Sequence, residues 1–394
     1  MNQNFARGVA MKITNVEVII LESPAEYGMK EGASDSTGPK YAGVVKVHTD
    51  EGITGIADCD THPHVIKAII EIPAYIPAFA EGLKAAVIGE NPFEVERIWR
   101  KMYRYSFYHG RRGAAIQAMS AIDIAIWDII GKVTNQPVSV MLGGRNHEKI
   151  RAYASTLFRD TPEKMREAIQ KYRALGFTAV KFGYGVVWED PRKIVKLVEA
   201  ARLEAGDQMD IMVDGMWTSD VKLAIELIKE IEQYNVFFVE EPLVSDNIRG
   251  YRKLTNSVNA RIACGEQLGS LHEFRQLIEE ADVDIIQPDI SRAGGLTEVR
   301  RLVSLVEHAG KLLIPHAWTS DILTAVSLHL NSYQQNAVFQ EFCTNDTPLS
   351  RELVTEPLKL DSEGYLHVPT KPGIGVELNE EVIKRYQIEG IRVL

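Results

Sequence analysis

The sequence predicts an α/β protein in which a barrel of alternating strands and helices is joined to a smaller α+β region. From about residue 149 onward, an apolar run followed by a helical stretch recurs at intervals of 23 to 33 residues. This is the length that one strand, one helix and two loops need. Upstream of about residue 140 the pattern differs, because neighbouring strand-like runs are joined by a short turn. Serial βα units imply a parallel sheet, and eight of them close into a barrel.

The α+β region contains, in order, strand-like runs, one tight turn and helical stretches. The strand-like runs are Lys12–Leu21, Val44–His48 and Ile53–Ala57, the turn is Asp50–Gly52, and two of the helical stretches are Pro92–Tyr105 and Gly113–Lys132. The second of these is apolar almost all round, which is typical of a buried helix. Because it carries Gln117, Asp123 and Asp128, it falls short of the uninterrupted apolar run expected of a membrane span.

Composition narrows the possible functions of the 394-residue chain. Its formal net charge is −10, from 44 Lys and Arg against 54 Asp and Glu, which argues against nucleic acid and anionic membranes as partners. The three cysteines (Cys59, Cys264 and Cys343) are far apart and form no CxxC motif. The sequence therefore predicts neither a disulfide framework nor a zinc cluster. The first residues lack the pattern of a signal peptide, so we expect a cytoplasmic protein.

A polar residue ends or follows the apolar run in each of seven successive βα units. These residues are Lys181, Asp214, Glu240, Glu266, Asp289, His316 and Glu341. In a βα barrel the active site is built at the carboxyl ends of the strands. Charged residues also follow strands simply because loops face water, but this explanation is poor for seven consecutive units.

The type of these residues indicates the chemistry. Three carboxylates at one barrel mouth would repel each other unless a cation lies between them, and oxygen ligands without Cys or His favour Mg²⁺. Asp214, Glu240 and Glu266 are the predicted ligands, although strand alternation alone does not decide between Glu240 and Glu241. Lys181, Asp289 and His316 are predicted to carry the acid–base chemistry, with Asp289 orienting the imidazole.

An ordered set of short motifs resembles the enolase superfamily, and specifically its mandelate racemase subgroup. Single pieces such as EEP are weak signals, but the ordered set is highly specific and covers nearly the whole chain from Met11. The motifs are AIDIAIWDIIGK, PVSVMLGG, VDG, VEEP, CGEQ, QPDISRAGG, IPHAW and the late Glu341.

The resemblance implies a fold, a metal and a shared chemistry. It implies an α+β capping domain (1–138), a (β/α)₇β barrel (139–358) and a C-terminal segment (359–394) that returns to the cap. It implies Mg²⁺ on Asp214, Glu240 and Glu266, a His316–Asp289 dyad on one face of the substrate, and Lys181 and Glu341 against the substrate carboxylate. The implied reaction removes the proton α to a carboxylate and gives a metal-stabilised enediolate. A homo-oligomer, dimeric or octameric, is also expected.

One departure from the subgroup pattern affects the predicted reaction. Much of the subgroup has a Lys-x-Lys motif whose second lysine is the base opposite histidine, whereas this chain reads Lys181-Phe182-Gly183. A racemase needs a base on each face of the α-carbon, but a dehydratase needs only one base and one acid. We therefore predict a dehydratase of an acid sugar, an aldonate or an aldarate. The alternative is a racemase, epimerase or cycloisomerase, with Tyr184 or a cap residue supplying the second face, and a second, weaker rival is a non-catalytic binding protein.

Further candidates have competing structural interpretations. Tyr184, Trp217, Trp318 and Arg292 are predicted substrate contacts, although the tryptophans could equally be loop packing. Asp123 and Asp128 lie on the apolar helix and are interpreted as buried hydrogen-bonding residues. His62 and His64 have metal-like spacing without a nearby third ligand, which favours a plain cap loop. The identity of the acid sugar depends on cap loops and is not predicted.

Overall fold

The computed structural model describes residues 10–24, 40–77, 79–216 and 218–389. Its strands are β1 (Ile13–Ser23), β2 (Lys40–Thr49), β3 (Thr54–Asp58), β4 (Lys149–Leu157), β5 (Ala179–Gly183), β6 (Asp210–Asp214), β7 (Val236–Glu240), β8 (Ile262–Cys264), β9 (Ile285–Ile286), β10 (Leu312–Leu313), β11 (Gln340–Cys343) and β12 (Tyr365–His367). The predicted hairpin is present, since β1, β2 and β3 form an antiparallel sheet in that order.

In the described part of the chain, five α-helices precede β4, and from β4 onward the helices alternate with the strands. They are α1 (Pro63–Glu71), α2 (Leu83–Val87), α3 (Val95–Tyr105), α4 (Ala114–Thr134), α5 (Val138–Leu142), α6 (Pro162–Ala174), α7 (Val186–Glu189), α8 (Ile194–Ala205), α9 (Val221–Ile231), α10 (Ile248–Thr255), α11 (Leu271–Arg275), α12 (Gly295–His308), α13 (Asp321–Tyr333), α14 (Pro348–Arg351) and α15 (Glu380–Tyr386). A π-helical turn, Gln276–Ala281, continues α11.

Eight parallel strands form the barrel, which confirms the predicted fold class. Their order is β10-β9-β8-β7-β6-β5-β4-β11, so the last strand of the series lies beside the first. The barrel interior is filled by one buried residue from or beside each strand. These residues are Tyr153, Ala179, Met212, Phe238, Ala263, Ile285, Ile314 and Phe339. A packed interior of this kind leaves the ends of the strands as the place for a site.

The C-terminal segment contacts both the barrel and the antiparallel sheet. Strand β12 pairs antiparallel with β4. Helix α15 then contacts β1, and the backbone N–H of Ile388 donates to Ile20. The segment thus links the two parts of the fold.

Helix α4 is the central helix of the capping region. It is long and apolar enough to cross a membrane, but 83% of its most apolar stretch is buried inside the protein, as in a core helix. Asp128 accepts hydrogen bonds from the backbone N–H groups of Ile56 and Ile374 and from Lys132 Nζ. Both acids on this helix therefore have structural partners, since Asp123 Oδ2 accepts the N–H of Thr297 at the start of α12.

The buried carboxyl group of Asp123 is expected to make the protein less stable as the pH rises. Burial raises the pKa of Asp123 from 3.8 to about 7, so the folded state keeps a proton that the unfolded state releases. The contribution of Asp123 to the free energy of unfolding therefore falls by roughly 4 kcal/mol as the pH rises from about 4 to about 7. Each unit of pKa difference between the folded and unfolded states corresponds to about 1.36 kcal/mol. We expect Asp123→Asn to lose less stability than the wild type between pH 5 and pH 8 in urea denaturation. Parallel curves for the two proteins would contradict this assignment.

Candidate active site

The seven polar residues predicted from the strand ends lie at one mouth of the barrel. Five of them line a cavity of about 240 Å³: Lys181, Asp214, Glu266, His316 and Glu341. Glu240 and Asp289 are also buried but lie behind this lining, where they hydrogen-bond to Lys181 and His316. The barrel topology brings these residues together because parallel strands present their carboxyl ends on the same side.

Lys181 lies among the acidic residues of β6, β7 and β11. Its Nζ atom is 2.6 Å from Glu240 Oε2 and 3.3 Å from Asp214 Oδ2. It is also 2.9 Å from Glu341 Oε1. Although burial lowers the pKa of Lys181, these carboxylates raise it well above its ordinary value, which favours the protonated amine.

Within the part of the chain that the structure describes, two of the predicted metal ligands have buried oxygens that no donor satisfies. Asp214 Oδ1 and Glu240 Oε1 are buried and have no hydrogen-bond partner among the described residues. Burial and the neighbouring carboxylates raise the pKa of Asp214, first through Glu240 and then through Glu266, and burial raises the pKa of Glu240. Buried acceptors without donors, in an all-oxygen set, match the preference of a hard cation such as Mg²⁺. The residues present therefore fit such an ion.

Glu266 extends from the loop after β8 toward the opposite wall of the cavity. Its Oε2 lies 3.2 Å from His316 Nε2, and its Oε1 accepts a hydrogen bond of 3.2 Å from the Tyr184 hydroxyl. Glu266 thus stands between the acidic group around Lys181 and the imidazole of His316. The carboxylate is placed to interact with either side of the cavity.

His316 and Asp289 form the predicted dyad. His316 Nδ1 lies 2.7 Å from Asp289 Oδ2, and both side chains are buried. An ionised carboxylate only accepts hydrogen bonds, so Nδ1 carries the proton and Nε2, on the cavity side, is left with its lone pair in the neutral ring. Burial lowers the pKa of His316, but Glu266, Glu341 and Asp289 together raise it well above its ordinary value. A cation bound by Glu266 would reduce that effect.

Glu341 is held as an anion by donors on three sides. Its carboxylate accepts the Ser155 hydroxyl at 2.7 Å and the backbone N–H of Ala317 at 2.7 Å. Burial opposes ionisation of this group, but Lys181 and His316 outweigh it and lower the pKa of Glu341 to about 2. These donors therefore favour the anionic form of Glu341 when no substrate is bound.

A side chain at residue 183 would lie against Asp214. A Cβ atom built on Gly183 would lie 2.9 Å from Asp214 Oδ2 and 3.3 Å from Asp214 Cβ. The next residue, Tyr184, has a φ of 48° and directs its hydroxyl to Glu266. Burial and the nearby acids raise the pKa of Tyr184, so its hydroxyl stays neutral. The carboxylate of Asp214 thus occupies the space beside residue 183.

Three of the four predicted substrate contacts line the catalytic cavity. Tyr184, Arg292 and Trp318 line the same cavity, whereas Trp217 lies outside the described residues. Arg292 is already engaged, since its Nη2 pairs with Asp60 Oδ2 at 2.7 Å and its Nη1 donates to the Glu266 carbonyl at 3.2 Å. His62 lies in the wall of a larger, adjoining cavity of about 620 Å³ together with Tyr41.

Sequence reasoning missed the segment that follows β3 in the capping region. Asp60 lines the cavity and approaches His316 Nδ1 to 3.8 Å. Ligand atoms of Asp60, Asp289 and His316 lie within 4.8 Å of one another. These groups already hydrogen-bond to Arg292 and Ser291, so we interpret them as an ion-pair network. The signal was present, because Asp58 and Asp60 follow a strand just as the barrel acids do.

Comparisons with known proteins agree with this architecture. The family described as mandelate racemase / muconate lactonizing enzyme, N-terminal domain, matches residues 16–143, and the enolase C-terminal domain-like family matches residues 164–382. D-galactonate dehydratase of Cronobacter sakazakii is 33% identical over 357 residues, which are 87% of this chain and 90% of that protein.

Solved structures superpose over almost the whole chain. The 3,6-anhydro-D-galactonate cycloisomerase of Zobellia galactanivorans has a TM-score of 0.85 at 30% identity, covering 96% of this chain and 100% of that one. A racemase of Streptomyces coelicolor A3(2), solved with bound magnesium, has a TM-score of 0.82 at 23% identity, covering 95% and 100%. The second comparison concerns the fold alone.

Proposed function

This chain belongs to the mandelate racemase / muconate lactonizing enzyme family of the enolase superfamily, and from that premise we propose that it is a Mg²⁺-dependent dehydratase of an acid sugar. The substrate class is an aldonate or an aldarate, and the product is the 2-keto-3-deoxy acid. The name of the D-galactonate dehydratase relative supports this class of substrate. The name of the cycloisomerase neighbour keeps isomerisation as the second candidate.

One observation carries the choice of dehydration. Among the described residues that line the catalytic cavity, His316 is the only imidazole, and Gly183 supplies no side chain at the position of the second lysine. Lys181 is paired with three carboxylates and stays protonated. Proton removal from a single face suffices for elimination but not for a two-base racemisation.

The proposed reaction assigns one role to each residue of the cavity. Lys181 and Glu341 bind the substrate carboxylate, Glu341 through a carboxylate–carboxylate hydrogen bond whose one proton is taken up from solvent with the substrate. His316 Nε2 takes the α-proton, while Asp289 holds the ring through Nδ1 and stabilises the imidazolium that forms. The imidazolium returns its proton to the 3-hydroxyl, which leaves as water, and the resulting enol becomes the 2-keto acid. Asp214, Glu240 and Glu266 would hold Mg²⁺, which would neutralise the charge that grows on the carboxylate.

The test is a panel of mono- and dicarboxylic acid sugars incubated with the protein and Mg²⁺, with 2-keto acids measured as semicarbazones. We expect at least one acid sugar to yield a keto acid, EDTA to abolish the reaction, and Mg²⁺ or Mn²⁺ to restore it. Full activity after exhaustive chelation would contradict the metal assignment. Loss of the α-proton without any keto acid would instead favour the racemase or epimerase alternative.

We also propose a cytoplasmic location and a homo-oligomeric state. The first rests on three buried cysteines that are free, as in a reducing compartment. The second rests on the family resemblance and stays a prediction.

A further inference from the structure

Ser291 connects the capping region to the catalytic dyad through an unbroken chain of hydrogen bonds. The backbone N–H of Asp60 donates to Ser291 Oγ at 2.9 Å. The Ser291 hydroxyl donates to Asp289 Oδ1 at 2.6 Å, and Asp289 Oδ2 accepts from His316 Nδ1 at 2.7 Å. The chain therefore runs from a main-chain amide of the cap to the ring of the proposed base.

The direction of each hydrogen bond in this chain is determined by its donors. A serine hydroxyl has one proton, and because Ser291 Oγ accepts the N–H of Asp60, that proton is left for Asp289. Asp289 Oδ1 also accepts the backbone N–H of Ser291 at 2.7 Å. Both donors bind the same oxygen, so the other oxygen of Asp289 faces His316. Loss of the Ser291 hydroxyl would leave Asp289 Oδ1 with a single donor, the backbone N–H of Ser291.

The segment Asp58–Asp60 is fixed to both loops that carry the dyad. Arg292, which follows Ser291, donates to the carbonyl of Asp60 and to its carboxylate, each at 2.7 Å. Cys59 Sγ donates to the Ser291 carbonyl at 3.3 Å. On the loop after His316, the hydroxyls of Thr319 and Ser320 donate to Asp58 Oδ2 at 2.8 and 2.5 Å. These hydrogen bonds therefore hold the cap segment in a fixed position relative to the dyad.

We propose that Ser291 is a positioning residue of the general base, through which docking of the cap segment Asp58–Asp60 sets the orientation of Asp289 and His316. The proposal rests on the proposed function, since it takes His316 as the base. Ser291 is completely buried and does not line the catalytic cavity, so its hydroxyl reaches the reaction through the two groups that it binds, the Asp289 carboxylate and the backbone of Asp60. The base is thus complete only when the cap segment is in place.

A matched pair of alanine variants tests the proposal. Ser291→Ala removes the hydroxyl in the chain, whereas Ser120→Ala removes another fully buried serine hydroxyl that accepts a backbone N–H across the same boundary, from Gly294 at 2.8 Å. We expect Ser291→Ala to lower kcat by about 10- to 100-fold with KM changed by less than about twofold, as for a misplaced catalytic group. Ser120→Ala should keep both constants within about twofold. Equal losses of kcat in the two variants, or an unchanged kcat in Ser291→Ala, would overturn the proposal.

A second measurement does not depend on turnover. In protein labelled with ¹⁵N in its histidine rings, the His316 resonances are identified by their absence in His316→Asn. We expect the Nδ1 resonance of His316 in Ser120→Ala to match that of the wild type, and that in Ser291→Ala to move, because Asp289, which accepts the Nδ1 proton, has lost a donor. Unaltered ring-nitrogen resonances in Ser291→Ala would contradict the role of Ser291. If no acid sugar is dehydrated by the wild type, the proposed function fails, while this spectrum still decides the role of Ser291.

Discussion

His316→Asn is expected to abolish both dehydration of the acid sugar and exchange of its α-proton, with kcat reduced by about 10³-fold or more. A positioned general base contributes about 10²- to 10⁴-fold, and here the same imidazole is proposed to act first as base and then as acid. Asparagine can still hydrogen-bond to Asp289, so the buried carboxylate keeps a donor and the fold is preserved. The measurement is keto-acid formation together with NMR of the α-proton in D₂O.

The control for this variant is His308→Asn, at the exposed end of α12 and far from the cavity lining. It should keep wild-type rates. Retained α-proton exchange in His316→Asn would reveal a second base, with Lys181 or Tyr184 as the first suspects. The racemase or epimerase interpretation would then be preferred to dehydration.

Glu240→Gln is expected to weaken Mg²⁺ binding by at least about 100-fold and to abolish activity. Loss of an outer partner of a metal ligand already costs about 10- to 100-fold, and loss of a ligand charge costs more. The amide of glutamine would also bring a donor close to Lys181 Nζ, which lies 2.6 Å from the present carboxylate. Calorimetric titration with Mg²⁺ measures the affinity, and the Mg²⁺-induced rise in Tm checks it without turnover.

Glu241→Gln is the matched control for the metal site. Glu241 is equally buried, but its carboxylate accepts the amide of Gln267 at 2.9 Å and lies near Cys264, away from the cavity lining. Burial raises the pKa of Glu241 well above its usual range, so a neutral amide is close to its protonated form. We expect Mg²⁺ affinity within about threefold of the wild type, since Glu241 is not a ligand. Equal losses in both variants would contradict the assignment of Glu240.

These two glutamates also show what strand alternation could and could not predict. The sequence predicts that only one of them faces the barrel mouth, but not which one. The structure places Glu240 at the end of β7 against Lys181, and the backbone reverses at Glu241, whose φ is 38°. A left-handed residue at the end of a strand depends on the loop that follows it, and no periodicity in the sequence encodes it.

The dyad and the carboxylates could be predicted because each is fixed by its place at the end of a barrel strand. The contact between Asp60 and Ser291 could not, because it joins residues 231 positions apart and depends on how the capping region docks on the barrel. Gly183 could be interpreted only in part from the sequence. The sequence shows that a lysine is missing there, and the structure adds that Asp214 lies next to this position.

The most direct test of the proposed one-face elimination is to incubate the wild-type protein, Mg²⁺ and an active acid sugar in D₂O and to follow substrate and product by NMR. We predict that the 2-keto-3-deoxy acid appears and that any deuterium entering the α-carbon of unreacted substrate replaces the proton on the same face. The remaining substrate should keep its configuration. Inversion of the α-carbon in recovered substrate, without formation of a keto acid, would contradict the account, because it requires a base on each face of the substrate.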